Sequence, residues 1–296
     1  MRIVFFGTSD YCLPVLDALK KSFDLKLVIT RPDAPVGRKK ILTPSATKLW
    51  AKQHDVMVTT PATLKKDTPD RASLLNQLLT IHPDLAVVSD YGLIIPQEIF
   101  NVPKLGTLNI HFSKLPELRG TSPVQHTLLR GDTTAWVTIF RLENPPELKI
   151  KMDSGPILWQ KQYSIDSNDT TETLYTRLFQ NAAKELPKII SDFASGSITP
   201  KPQNQSKATF TRFLTRDDGF IPWEKFQISN FKFQIYNAYR AYFPWPGIWT
   251  LRQAQGKLQR MKILKCHLEK ERLVLDQVQF EGKKPQPFSA SIPASR

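Results

Sequence analysis

Hydrophobic and polar positions along the first half of the chain follow two periods in turn. Short apolar runs, RIVFFG at 2–7, LKLVIT at 25–30, DLAVVSD at 84–90 and TLNIHF at 107–112, have the length of buried strands. Between them, LPVLDALKKS at 13–22 and SATKLWAKQ at 45–53 space their apolar residues three and four apart, the period of a helix with one buried face. Such alternation predicts βαβ units and an α/β domain with a mostly parallel, Rossmann-like sheet. Ligands of these sheets gather at the carboxyl ends of the strands. Further on, the pattern predicts a helix in PVQHTLLRG (123–131), strands in TAWVTIFRLE (134–143) and GPILWQKQYSI (155–165), and a long helix from Thr170, where DTTETLYTRLF sets capping residues ahead of an apolar stripe.

Both periods lapse at SITPKPQNQS (197–206), which is read as a linker. The predicted organisation is a first domain over 1–199, a linker over 200–208 and a second domain over 209–296. In the second domain one helix over 229–242 ends at FPWPG. Three short strand-like runs follow, GIWTLRQ, RMKILKCHLEK and RLVLDQVQF, and predict a small OB-like β-barrel. At 296 residues, two domains are the natural expectation.

Charge changes the picture. The chain carries 41 Lys and Arg against 27 Asp and Glu, a formal net charge of +14. Sixteen basic and seven acidic residues lie from Lys207 onward, so the last ninety positions hold +9 of that excess. A concentrated cationic domain favours a polyanionic partner through counterion release, although a plain solvated basic surface answers to the same count. No window approaches the apolar length of a membrane span, and the apolar start is too short for a signal peptide, so a cytoplasmic protein is expected. Cys12 and Cys266 are far apart in sequence and no Cys/His spacing suits a metal, so neither a disulfide nor a metal site is expected.

Candidate chemistry centres on TLNIHFSKLPELRG. Residues two apart on a strand share a face, so Asn109 and His111 point the same way at the end of an apolar strand. An Asn amide donates to an oxygen gaining negative charge, a His moves protons near neutral pH, and a carboxylate such as Asp153 in KMDSG fixes the His. Together they suit acyl transfer to an amine. Spacing alone also admits a satisfied histidine at a strand end and an aspartate in an ordinary turn. The single Gly7 after the first strand is no GxGxxG, so dinucleotide binding is not expected. His54, His82, His126 and His267 stand alone and are read as ordinary surface or core residues.

Several stretches in order, MRIVFFGTSDYCLPVL, RPDAPVGRKKILTPS, DYGLIIP, LNIHFSKLPELRGTSPVQ, VTIF, KMDSGPIL and FPWPG, resemble the methionyl-tRNA formyltransferase family over almost the whole length. The resemblance implies a Rossmann-like formyltransferase domain followed by an OB-like tRNA-binding domain. It implies 10-formyltetrahydrofolate as co-substrate, initiator methionyl-tRNA as acceptor, no metal and a monomer. By position, Asn109, His111 and Asp153 match the family's catalytic trio. Ser113, Lys114, Leu115 and Pro116, with Tyr91, Gly92, Leu93 and Ile94, match its folate-binding segments, and Arg38, Lys39 and Lys40 the basic loop that meets tRNA. Four departures stand out: Lys114 where the family has Leu, Asp90 where small or apolar residues are usual, an insertion around ENPPELKIK before Asp153, and a C-terminal tail short against the family pattern, for which a trimmed barrel is expected. Two alternatives share the core motif: a 10-formyltetrahydrofolate enzyme acting on a small amine, such as a purine precursor or an amino sugar nucleotide, and a non-catalytic RNA-binding relative.

Overall fold

A computed structural model describes residues 1–37, 39–144, 152–254, 257–270 and 272–291. Its elements run β1 (Arg2–Phe6), α1 (Leu13–Ser22), β2 (Asp24–Ile29), β3 (Ala34–Val36), β4 (Ile41–Thr43), α2 (Ala46–Gln53), β5 (Met57–Thr59), α3 (Pro69–Ile81), β6 (Leu85–Val88), α4 (Gln97–Phe100) and β7 (Thr107–His111). There follow α5 (Pro123–Arg130), β8 (Thr134–Arg141), β9 (Ile157–Ser164), α6 (Thr171–Ala194), α7 (Lys232–Tyr242), β10 (Ile248–Ala254), β11 (Lys257–Glu269), β12 (Arg272–Phe280) and β13 (Gln286–Ser291).

The chain forms two compact units. One holds Met1–Arg119, Trp136–Gln162 and Thr176–Thr209; the other holds Gly120–Ala135, Tyr163–Tyr175 and Phe210–Arg296. In the first, a seven-stranded sheet has the order β5-β2-β1-β6-β7-β8-β9. β1 pairs in parallel with both β2 and β6, β6 pairs in parallel with β7, and β8 turns antiparallel to β7. The Rossmann-like, parallel-dominated sheet expected from the alternating pattern is therefore present. Its central strands are buried on both faces, which explains their near-continuous apolar runs. One face carries a core of Val4, Phe6, Leu27, Ile29, Leu74 and Leu78 among others. The helix α6 buries a stripe of Leu174, Leu178, Ala182, Leu186 and Ile190, spaced near four as its sequence period demands. Ser45 caps α2 by accepting from the Lys48 N–H at 3.1 Å.

Strand order reverses between β1 and β6, and the chain crosses tightly there. A Cβ on Gly7 would stand 2.7 Å from the Ser89 carbonyl oxygen and 2.5 Å from the Phe5 ring. Close backbone approach, rather than ligand contact, accounts for this glycine. Gly7→Ala is expected to destabilise the fold by about 1–3 kcal/mol, read from the midpoint of urea unfolding.

In the second unit, α5 lies against α7, and β10 to β13 form an antiparallel sheet in sequence order. The antiparallel C-terminal sheet answers to the strand-like runs read from the sequence, with β13 as a strand that QPFSAS did not announce. Thr171 Oγ1 donates to the Ala241 carbonyl at 2.6 Å and joins the start of α6 to the end of α7.

Candidate active site

β7 ends at the carboxyl edge of the sheet and carries Asn109 and His111, opposite Phe140 and Thr138 of β8. His111 is buried, and its Nε2 lies 3.0 Å from the Leu118 carbonyl oxygen. A carbonyl only accepts, so Nε2 carries a proton. The other ring nitrogen, Nδ1, faces Asp153 Oδ2 at 3.8 Å. Sequence positions 42 apart are thus brought together as an imidazole and a carboxylate, and a proton on Nδ1 turns that approach into an ion pair. Among the described residues, no group bonds the half-buried Asn109 amide. It is free to donate to an incoming oxygen.

The loop after β7 is pinned from behind. Ser113 Oγ donates to the Glu117 carbonyl at 2.6 Å, Thr138 Oγ1 donates to the Ser113 carbonyl, and Gln160 Nε2 donates to the Leu115 carbonyl at 2.9 Å. Leu115 is buried and Pro116 half-buried, whereas Lys114 is exposed and sets its ammonium 4.8 Å from the centre of the Trp136 ring. The cation that departs from the resembled pattern is thereby directed outward and held by a cation–π contact.

Tyr91 is buried and packs edge-on against Phe6 at 5.3 Å. Burial pushes its phenol well above the ordinary range. Its ring belongs to the core, so Tyr91 itself offers a ligand only its backbone. Asp90 takes a left-handed φ of 48° and Gly92 one of 79°, and Leu93 is half-buried while Ile94 is 87% exposed.

β3 and β4 pair antiparallel as a ribbon, and the residues of both strands are exposed. Lys39 and Lys40 lie exposed in the ribbon's turn, where the Lys40 N–H donates to the Gly37 carbonyl at 3.2 Å. Arg38 lies outside the described residues, as do 145–151 of the insertion before Asp153. Sequence reading did not single out the cations of the second unit: Arg260 sits over Trp249 at 4.0 Å and Arg252 over Trp223 at 5.0 Å. A cavity of about 650 Å³ lies at the amino end of β7, bordered by Gly106, Arg141 and Phe193, and does not include the Asn109, His111 and Asp153 cluster. Among the described residues no group of His, Cys, Asp and Glu could hold a metal, and no helix is long and apolar enough to cross a membrane.

The class of protein is shown by sequence: residues 1–190, which hold the open α/β sheet and the Asn-x-His strand end, match the family model described as formyl transferase. The chain belongs, more narrowly, to the methionyl-tRNA formyltransferase family. It is 36% identical over 268 residues to the methionyl-tRNA formyltransferase of Caldicellulosiruptor saccharolyticus, covering 90% of this chain and 81% of that one. Its fold is similar to the methionyl-tRNA formyltransferase from Clostridium thermocellum, at a TM-score of 0.60, 16% identity and coverage of 95% and 98% of the two chains. It is equally similar to a sugar 3N-formyl transferase solved with 5-N-formyl-THF, at a TM-score of 0.60, 18% identity and coverage of 96% and 99%.

Proposed function

We propose that this enzyme transfers the formyl group of 10-formyltetrahydrofolate to the α-amino group of methionine on initiator tRNA, acting as a cytoplasmic monomer. The observation that carries the reading is the 36% identity over 90% of the chain, which extends well past the catalytic unit into the basic C-terminal part. A small amine substrate explains the +9 of the last ninety residues poorly, whereas a polyanionic acceptor accounts for it.

In this reading Asn109, His111 and Asp153 form the reaction centre. The unprotonated amine attacks the formyl carbon; a C–N bond forms and the carbonyl electron pair moves to oxygen. Asn109 donates to that oxyanion, and the His111 imidazolium, with Nε2–H on Leu118 and Nδ1–H toward Asp153, supplies positive charge beside it. The attacking nitrogen then loses a proton, N10 of the folate gains one, and the C–N10 bond breaks. In this reading the imidazolium gives a proton to N10 as the C–N10 bond breaks and, once neutral, takes the one the amine loses, with Asp153 favouring the charged form. Folate would lie along the loop at Ser113–Pro116 and the turn at Tyr91–Ile94, using their backbone and the apolar surface of Leu93 and Ile94.

Lys39 and Lys40 of the ribbon turn, with Arg38 next to them in sequence, are assigned to tRNA phosphate. For Lys39→Ala combined with Lys40→Ala, the slope of log affinity for tRNA against log salt is expected to shrink by about 2, with folate titration unchanged. Loss of folate binding instead would contradict the assignment. The activity itself is tested by offering 10-formyltetrahydrofolate with methionyl initiator tRNA, methionyl elongator tRNA, or a small amine, and detecting formylated product by mass spectrometry. Product on the initiator alone supports the reading. Product only on the small amine replaces it.

A further inference from the structure

Residues 203–209, which hold only one 3-10 turn at Gln205–Lys207, bond directly behind both members of the His111–Asp153 pair. Gln203 is buried and its amide is fully used. Nε2 donates to the carbonyls of Asp153 at 2.8 Å and Gly155 at 2.6 Å, while Oε1 accepts from Arg119 Nε at 3.2 Å and Nη2 at 2.6 Å. The amide can stand only this way round: turned over, its NH2 would face guanidinium N–H groups and its oxygen two carbonyls. Arg119, 1% exposed, also donates from Nη2 to Gln205 Oε1 at 2.8 Å. Burial pulls its guanidinium below the ordinary value, and the negative charge of Asp153 opposes that pull.

The same segment reaches His111 by a second route. Thr209 Oγ1 accepts the Leu118 N–H at 2.8 Å, and the Thr209 carbonyl accepts the Arg119 N–H at 2.9 Å. Leu118 in turn offers the carbonyl that receives His111 Nε2. Leu118 at φ 56° and Asp153 at φ 50° are both non-glycine residues in the left-handed region, an arrangement that persists where surrounding bonds hold it. Two strained turns, each carrying one half of the pair, are thus tied to one short stretch.

We infer that 203–209 is the positioning segment of the reaction centre: Gln203, oriented by Arg119, sets Asp153, and Thr209 sets the carbonyl that orients His111. The role rests on the formyl-transfer reading. Gln203, Arg119 and Thr209 are positioning residues, acting through Asp153 and His111.

The test compares Gln203→Leu, Thr209→Val and Thr209→Ser, each alone and combined with Asp153→Asn, in steady-state formyl transfer and in ¹⁵N NMR of the His111 ring. In Gln203→Leu, kcat is expected to fall about ten- to hundred-fold with both KM values kept, because a displacement near 1 Å suffices for such losses. Asp153→Asn should cost far less in that background than in the parent enzyme, since the carboxylate has already moved. Thr209 is exposed, so its valine variant folds; it should lose turnover while the serine variant, which keeps the hydroxyl, restores it. The His111 ring resonances should move in Gln203→Leu and Thr209→Val and stay in Thr209→Ser. Unchanged kcat, or strictly multiplicative penalties with unmoved resonances, would overturn the inference, and the Thr209 pair decides it if Gln203→Leu does not fold. A parent enzyme without formyl transfer would instead overturn the functional reading, while the His111 resonances still report on the positioning.

Discussion

Asn109→Ala is expected to lower the turnover of formyl transfer by about 10²–10³ with the fold intact, the usual consequence of removing one oxyanion donor. The structural basis is the freedom of the amide. Unlike Gln160 or Gln203, which spend their amides on carbonyls of the protein, Asn109 has a side-chain amide that bonds nothing among the described residues and stands two positions from His111 on the same strand. Its loss therefore breaks no internal bond, and KM for folate and for tRNA should change little while kcat falls. The same order of loss is expected for His111→Ala, with some cost in stability, because the Leu118 carbonyl then loses its donor in a buried setting. Since both groups serve one developing charge, the double variant should lose much less than the product of the two effects. Steady-state kinetics with far-UV circular dichroism reads all of this. Near-normal turnover in Asn109→Ala would remove it from the reaction centre.

The strands that position this site were legible because their burial on two faces leaves uninterrupted apolar runs, and because Asn109 and His111 break such a run at a spacing of two. α1, α2, α5 and α6 were legible for the parallel reason that each buries one stripe. The RPDAPVGRKKILT stretch was not read as a ribbon, since β3 and β4 bury nothing and their apolar residues follow no core. The segment α3 leaves little trace in the pattern as well: only Leu74 and Leu78 of its thirteen residues are buried, so its apolar stripe is faint.

The part of the site least visible in the sequence is the one made of backbone bonds. Asp153 could be matched only by alignment across the insertion, because a turn aspartate has no periodic signature. Gln203 sits in a stretch whose composition reads as a linker, yet its amide closes onto residues 50 positions away. Composition reports what a segment fails to bury; it does not report one buried amide. The polar mismatch at Lys114 was visible as a departure, and its resolution needed Trp136 from β8, a contact that only the sheet order creates.

Gly155→Ala should be severely damaging for a single added methyl. A Cβ there would stand 1.9 Å from the Arg141 carbonyl oxygen, 3.0 Å from its carbon and 3.1 Å from the Glu143 nitrogen. All three are backbone atoms at the end of β8, so no side-chain rotation relieves the clash and one of two chain segments must shift. The Arg141 end is held: its N–H donates to the Pro156 carbonyl at 2.9 Å, and it pairs with Leu108 of β7. The other end is the Asp153 turn, already in a left-handed conformation, with the Asp153 and Gly155 carbonyls fixed by Gln203. Either movement is costly, and the expected loss of stability is at least about 3 kcal/mol, above the ordinary range for one added methyl group. If the turn yields, Asp153 leaves His111 and turnover falls by about 10² or more. If the strand end yields instead, stability falls while the surviving enzyme keeps its kcat. Urea unfolding and single-turnover kinetics on the same preparation separate the two, and unchanged stability together with unchanged turnover would show that Gly155 does not approach Arg141 as closely as the structure places it.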